Sequence, residues 1–387
     1  MLKKLPVLLL ITIIAAILLN PIVPLQIKQI IFAISLTIKS IVLFLLPFII
    51  FGLLFKTFVK LSGNAIEIIV LIFGSLVCSN FINTFMTHYL GEFLYHSNID
   101  FASGTSQVTE LTPYFKFELP CLIKNEFALF GGMSAGWLSS IFNRNAALKA
   151  SKIVDDFVHK LFAVVSILIP LFIIGFVIKC VAEGVLVSIL KSYSQILILF
   201  LLYSSAYTFG FYFIANKLNL KNTITSLKNM MPAFVTGIST ISSALTMPVT
   251  IVCTEKNVKN KELADSIIPA TVNIHLLGDC IAIPLLAFAL LKHYGIAAPT
   301  FSEYVTFTAF FVLAKFSVAA VPAGGVIIMA PILEKYLSFT PEMSTLLIAI
   351  YVIFDPFVTG FNVIGNGALA QIIDNLNDFA RKIRKHA

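Results

Sequence analysis

Phe354-Asp355-Pro356-Phe357-Val358-Thr359-Gly360-Phe361-Asn362-Val363-Ile364-Gly365-Asn366-Gly367 lies near the C-terminus, within a segment otherwise apolar enough to lie in a membrane. A carboxylate at bilayer depth costs several kcal/mol unless it is paired or faces water, so Asp355 is a functional candidate by default. Thr359, Asn362 and Asn366 follow at helical spacing, on or near the same face. Pro356 and glycines 360, 365 and 367 are expected to weaken the helix there. Broken backbone inside a membrane is tolerated mainly where it lines a cavity. A carboxylate, two amides and a hydroxyl converging on irregular helix read as a solute or ion site.

Composition sets the frame around that stretch. The chain has 387 residues, of which 58% are hydrophobic and 12% charged, with a mean hydropathy of +0.96. A soluble domain with so few charges could not solvate its surface, so an all-α integral membrane protein is expected. The length leaves room for about eight to ten spans of roughly 20 residues each. In a soluble protein the net charge of +8 would point to nucleic acid. Here it has a topological meaning, and no nucleic-acid partner is expected. Five scattered cysteines (78, 121, 180, 253 and 280) have no metal spacing and read as small buried hydrophobes. Enzyme motifs are missing: there is no phosphate loop, no His-Glu-x-x-His and no Cys-x-x-Cys.

Working back along the chain, spans are expected at about 5–24, 27–60, 66–91, 126–143, 157–185 and 190–216. A polar loop fills 92–120, and a basic connector carries Arg144, Lys149, Lys152 and Lys160. With the N-terminus inside and spans alternating, the inside segments hold 18 of the 27 Lys and Arg residues. That asymmetry predicts cytoplasmic N- and C-termini in a cell (inner or plasma) membrane. Lys315 falls inside an apolar segment and is expected to snorkel out of it.

After Lys228 the pattern changes. Residues 229–254 are apolar but interrupted by Thr236-Gly237-Ile238-Ser239-Thr240-Ile241-Ser242-Ser243-Ala244-Leu245-Thr246-Met247-Pro248, which suits a re-entrant hairpin with its tip at Ser242-Ser243-Ala244. The next span, 264–291, carries Thr271, Asn273, His275 and Asp279 at depth. Residues 302–336 repeat the hairpin grammar around Ser317-Val318-Ala319-Ala320-Val321-Pro322-Ala323-Gly324-Gly325, followed by a span at 342–374 and a basic tail at 375–387. Pro248 precedes Asp279 by 31 residues and Pro322 precedes Asp355 by 33. Two such units entering from opposite sides make an inverted repeat, a transporter signature with its site at the midplane. The chain therefore divides into six N-terminal spans, residues 1–228, and a transport core at 229–374.

At these residues the chain resembles the dicarboxylate/amino acid:cation symporter family, which has the glutamate-transporter fold. Ser242 to Thr250 resembles that family's serine-rich first hairpin tip, and Val321-Pro322-Ala323-Gly324-Gly325 resembles its second, Val-Pro-Gly-Ala-Gly. Asp355 to Asn366 is similar, without gaps, to its last helix, Asp-Met-Gly-Arg-Thr-Met-Val-Asn-Val-Thr-Gly-Asp. The resemblance implies eight transmembrane helices plus two re-entrant helical hairpins, a homotrimer in the lipid bilayer and an elevator motion. It implies that Asp355 takes a substrate amino group and that Ser242, Ser243 and the hairpin tip hold the carboxylate. It also implies that Val321, Pro322, Ala323, Gly325, Thr359 and Asn362 line the site.

The departures carry as much. Val358 stands where acidic-substrate members carry arginine. An acidic substrate would then leave a charge buried and unpaired, so a small, neutral amino acid is expected. Asn366 replaces a sodium-binding aspartate. The family's Asn-Met-Asp-Gly-Thr is absent from span 7. The ungapped register from Pro269 is preferred because it keeps the spacing from Pro248, and it makes Asp279 substrate-facing. A two-residue slip matches Ala270-Thr271-Val272-Asn273 to the family and puts His275 in the carboxylate's place. In both registers sodium carboxylates are missing. The coupling ion, sodium or a proton, is then sought at Thr271, Asn273, His275, Asn362 and Asn366, with sodium itself at Asn273, Asn362 and Asn366. No other cofactor is expected. The alternatives are a cationic amino acid read by Asp279, a sodium-independent exchanger, and a passive channel or non-transporting membrane protein.

Overall fold

A computed structural model describes residues 18, 22–61, 66–97, 111–117, 119–120, 122–123, 125–182, 186–318 and 324–386. Most of the expected first span and the second hairpin's tip, with Val321, Pro322 and Ala323, lie outside these residues. Among the described residues the regular structure is helical. The helices are α1 (Leu25–Leu61), α2 (Ile66–His96), α3 (Asn125–Phe142), α4 (Arg144–Ala182), α5 (Leu186–Ala215) and α6 (Leu220–Thr240). They continue with α7 (Ser243–Thr254), α8 (Lys261–Thr271), α9 (Leu277–His293), α10 (Phe301–Ala314), α11 (Gly324–Tyr336) and α12 (Pro341–His386). A single 3₁₀ turn, Lys315–Ser317, follows α10.

The helices pack in two groups. In one, α1 lies against α3 and α4; in the other, α12 and α9 gather α2, α5, α6, α7, α8 and α11 around them, and α10 packs on α2 and α11. The centre is α9, whose residues Leu277 to Leu291 are all buried. An apolar helix with no polar face is what such a position requires. By contrast α5 buries Phe200 and Tyr212 while exposing Ile198, Leu202 and Ile214, so its outward face is apolar too. By length and composition, two helical stretches among the described residues suffice to cross a membrane, Tyr193–Ala215 and Pro341–Asp378.

Three expectations change. The basic connector after residue 143 is helical and continuous with the next span in α4. Its charges sit on a helix whose other side packs: Asp155 pairs with Lys56 at 2.5 Å, and a Cβ on Gly52 would fall 2.4 Å from Val158. The first hairpin arm begins at Leu220, ahead of the expected 229, because Asn219 caps it by accepting from the Asn222 N–H. The opening stretch is also not irregular, since α12 runs unbroken through Pro356 and its glycines. Those glycines allow close approach: a Cβ would strike Phe234 at Gly360, Leu277 at Gly365 and Met230 at Gly367. Tyr212 donating to the Ile364 carbonyl fastens α5 to the same stretch. The break lies elsewhere, between α8 and α9.

Candidate functional site

Four pieces of chain meet at one cavity. It is lined by Ile241, Ser242 and Ser243 from the α6–α7 turn and by Val272, Asn273 and Leu276 from the α8–α9 break. Asp279 comes from α9, Val318 and Gly325 from the chain on either side of residues 319–323, and Tyr351, Asp355, Thr359 and Asn362 from one face of α12. Its volume is about 40 Å³, room for a few waters.

The α6–α7 turn forms because its hydroxyls satisfy the backbone groups that helix ends leave over. Ile241 adopts a left-handed conformation (φ 49°) and its N–H donates to the Gly237 carbonyl. Ser242 is the N-cap of α7, accepting from the Leu245 N–H at 3.3 Å. The Thr240 hydroxyl accepts from the Ser242 N–H and lies 2.8 Å from the Thr246 hydroxyl. The first N–H groups of α7, on Ser243 and Ala244, fall outside the i→i−4 ladder, and Ser243 lines the cavity.

Residues 272–276 interrupt the helix: the N–H groups of Val272, Ile274 and His275 still donate to the Ile268 and Thr271 carbonyls, while carbonyls of the segment turn to side chains. Asn80 on α2 donates to the Ile274 carbonyl at 2.9 Å, and Asn366 on α12 donates to the His275 carbonyl at 3.1 Å. Asn83 donates to the Leu277 carbonyl at 2.9 Å. The Asn362 amide oxygen accepts from the Gly278 N–H at 2.7 Å and from the Asp279 N–H at 3.4 Å, capping α9. This is how non-helical backbone survives deep in a protein. Asn362→Ala should therefore leave buried donors unmet, a cost of about 1–3 kcal/mol. A lowered thermal midpoint without ligand would show it; an unchanged midpoint would mean that water replaces the amide.

The expected site residues sort cleanly. Ser242, Ser243, Asn273, Asp279, Gly325, Asp355, Thr359 and Asn362 share the cavity. The Thr359 hydroxyl donates to Asp355 Oδ1 at 3.4 Å. Val358 is fully buried but off the lining, with its backbone pressed against Gly278. Thr271 is off it as well, its hydroxyl donating to the Ile267 carbonyl. His275 turns away to the Ser79 hydroxyl at 2.9 Å. Asn366 bridges the break, and its Oδ1, like Asn273 Oδ1 and His275 Nδ1, is buried without a hydrogen-bond partner among the described residues.

Two residues escaped sequence reasoning. Tyr351 precedes Asp355 by one helical turn, a spacing that places both on one face, and its hydroxyl donates to Asp279 Oδ1. Lys315 does not snorkel. It is fully buried, with Nζ 3.5 Å from Asp279 Oδ2, and nothing in its local sequence announces that partner.

A family model described as the sodium:dicarboxylate symporter family matches residues 5–376. Among curated proteins, the chain is 26% identical over 154 residues to an excitatory amino acid transporter of Onchocerca volvulus, covering 40% of this chain and 31% of the relative. It is 27% identical over 166 residues to human excitatory amino acid transporter 5, covering 42% and 29%, respectively. Against human excitatory amino acid transporter 2 the identity is 28% over 167 residues, covering 43% and 28%. The matched stretch thus spans less than a third of each relative's own length.

Proposed function

This chain belongs to the sodium:dicarboxylate symporter family, and on that footing we propose that its cavity carries a small, neutral amino acid across the membrane, driven by a cation gradient. The family is one of membrane transporters working by symport, not of enzymes. The observation that carries the reading is the convergence of the α6–α7 turn, the chain on either side of residues 319–323, the α8–α9 break and Asp355 on one buried cavity. An amino acid's ammonium group pairs with Asp355, beside Thr359. Its carboxylate meets the N-terminus of α7 at Ser243, where N–H groups and helix dipole favour an anion.

Neutrality of the substrate side chain rests on charge. Among the described lining residues no side chain is basic, and residues 319–323 are Ala, Ala, Val, Pro and Ala. An acidic side chain would enter without a partner, at a cost of several kcal/mol. A second reading, an acidic amino acid, is favoured by the family's description, which names a dicarboxylate. Sodium is the family's ion. The buried Oδ1 atoms of Asn273 and Asn366, unpartnered among the described residues, are acceptors suited to it, whereas Asn362 Oδ1 is committed to capping α9.

Eight spans, two re-entrant hairpins entering from opposite faces, cytoplasmic termini, a homotrimer and an elevator motion complete the proposal. The α1–α3–α4 group would be the scaffold, and the group around α9 and α12 the moving part. Purified protein screened by thermal shift against the common amino acids, in sodium, potassium and choline chloride, tests the substrate. Alanine or serine should raise the midpoint in sodium, and aspartate should not. Stabilisation by aspartate alone would establish the second reading. Ohmic current with no substrate response would leave a passive channel.

A further inference from the structure

The transport reading leaves two charged side chains unused: Asp279, which lines the cavity, and Lys315, which stands behind it. Lys315 lies in the 3₁₀ turn after α10, and its side chain is 0% exposed. Nζ lies 3.5 Å from Asp279 Oδ2 and 4.5 Å from the centre of the Phe311 ring. It has no hydrogen-bond partner among the described residues, so an ion pair and a ring face are what hold this charge. The other carboxylate oxygen, Oδ1, accepts from the Tyr351 hydroxyl. Gly325, in the first turn of α11, closes the third side: a Cβ there would come 3.1 Å from Oδ1. Asp279 faces the cavity on its remaining side.

The arrangement is costly. A lysine in apolar surroundings ordinarily extends its stem to bring the ammonium to water, and taking an ion pair out of water costs several kcal/mol per ion before attraction returns any of it. Phe316, beside Lys315, stacks on Phe73 at 4.6 Å, and both Phe311 and Phe316 are buried. The turn is thus anchored, with the ammonium inside.

We propose that Lys315 is a tethered cation that occupies, beside Asp279, the place a free sodium ion would otherwise have to fill. Three consequences follow. Asp279 is charge-balanced by the protein and needs no coupling ion. A cationic substrate side chain finds this carboxylate already engaged, which separates the chain from the cationic amino-acid reading. Sodium dependence is confined to other oxygens of the site, those of Asn273 and Asn366 among them. The inference deepens the transport reading and rests on it for the substrate, but its test reads sodium binding without substrate.

The test is thermal unfolding of the full chain in detergent, titrating sodium chloride against choline chloride at constant ionic strength. Lys315→Ala removes the ammonium and opens space beside Asp279. Its midpoint should climb with sodium by several degrees more than that of the wild type. Asp279→Asn in the same background should remove the added response. Failure of Lys315→Ala to fold in choline but not in sodium is the same positive result. A sodium response equal to that of the wild type overturns the proposal, as does failure to fold in both salts or an added response that survives Asp279→Asn. If the wild type takes up no amino acid the transport reading falls, yet these titrations still decide the role of Lys315.

Discussion

Asp355→Asn is expected to abolish amino-acid uptake in proteoliposomes while leaving the protein folded. The substitution keeps the shape of a side chain on the cavity lining and removes the charge that pairs with an ammonium. Truncating one partner of a buried, hydrogen-bonded charge pair costs about 2–5 kcal/mol, or roughly 30-fold to several thousand-fold in affinity. Two readouts separate function from folding. The midpoint without ligand should move little, and the rise on adding substrate should vanish. Uptake at the wild-type level would remove Asp355 from the site and with it the orientation proposed for the substrate.

The second large effect belongs to the packing that creates the cavity. Gly278 opens the first turn of α9, and a Cβ there would come 2.4 Å from the Val358 carbonyl oxygen and 2.9 Å from its Cα. Backbone cannot swing aside as a side-chain end can. Gly278→Ala should therefore push α9 off α12, at about 1–3 kcal/mol or more. It should also loosen the Asn362 cap, whose 2.7 Å bond is to that residue's own N–H. Thermal unfolding and substrate binding should both suffer. A midpoint equal to that of the wild type would show that the two helices are not held this closely.

Much of the fold was legible because its signals are periodic or compositional. The apolar runs marked the helices of α1, α3 and α5 to within a few residues, and serine and threonine marked the α6–α7 turn, where hydroxyls cap helix ends. Asp355, Thr359 and Asn362 were legible as a face of one helix, but not that Asn362 and Asn366 tie that helix to α9 and to the break before it. The place of the irregular backbone was misjudged. Pro356 and three glycines suggested a broken last helix, but Phe234, Leu277 and Met230 pack into the glycine notches and α12 stays continuous. Thr271, Asn273 and His275 marked the true break without saying so, since a polar cluster in a span fits either a lining or an unwinding.

What the sequence by itself determined is what depends on local pattern: an apolar helical chain, two serine- and glycine-rich interruptions, each followed by a carboxylate, and a family likeness in the motifs around them. Only the tertiary structure decided which groups spend their hydrogen bonds on the protein and which face the cavity. Asn362 caps a helix 84 residues away in sequence, Asn366 bridges to the His275 carbonyl 91 residues away, and Lys315 lies inside against Asp279. The reason is physical. A polar group taken out of water must find a partner wherever packing supplies one, and for helices joined by long connections that partner is set by how they pack, not by neighbours along the chain.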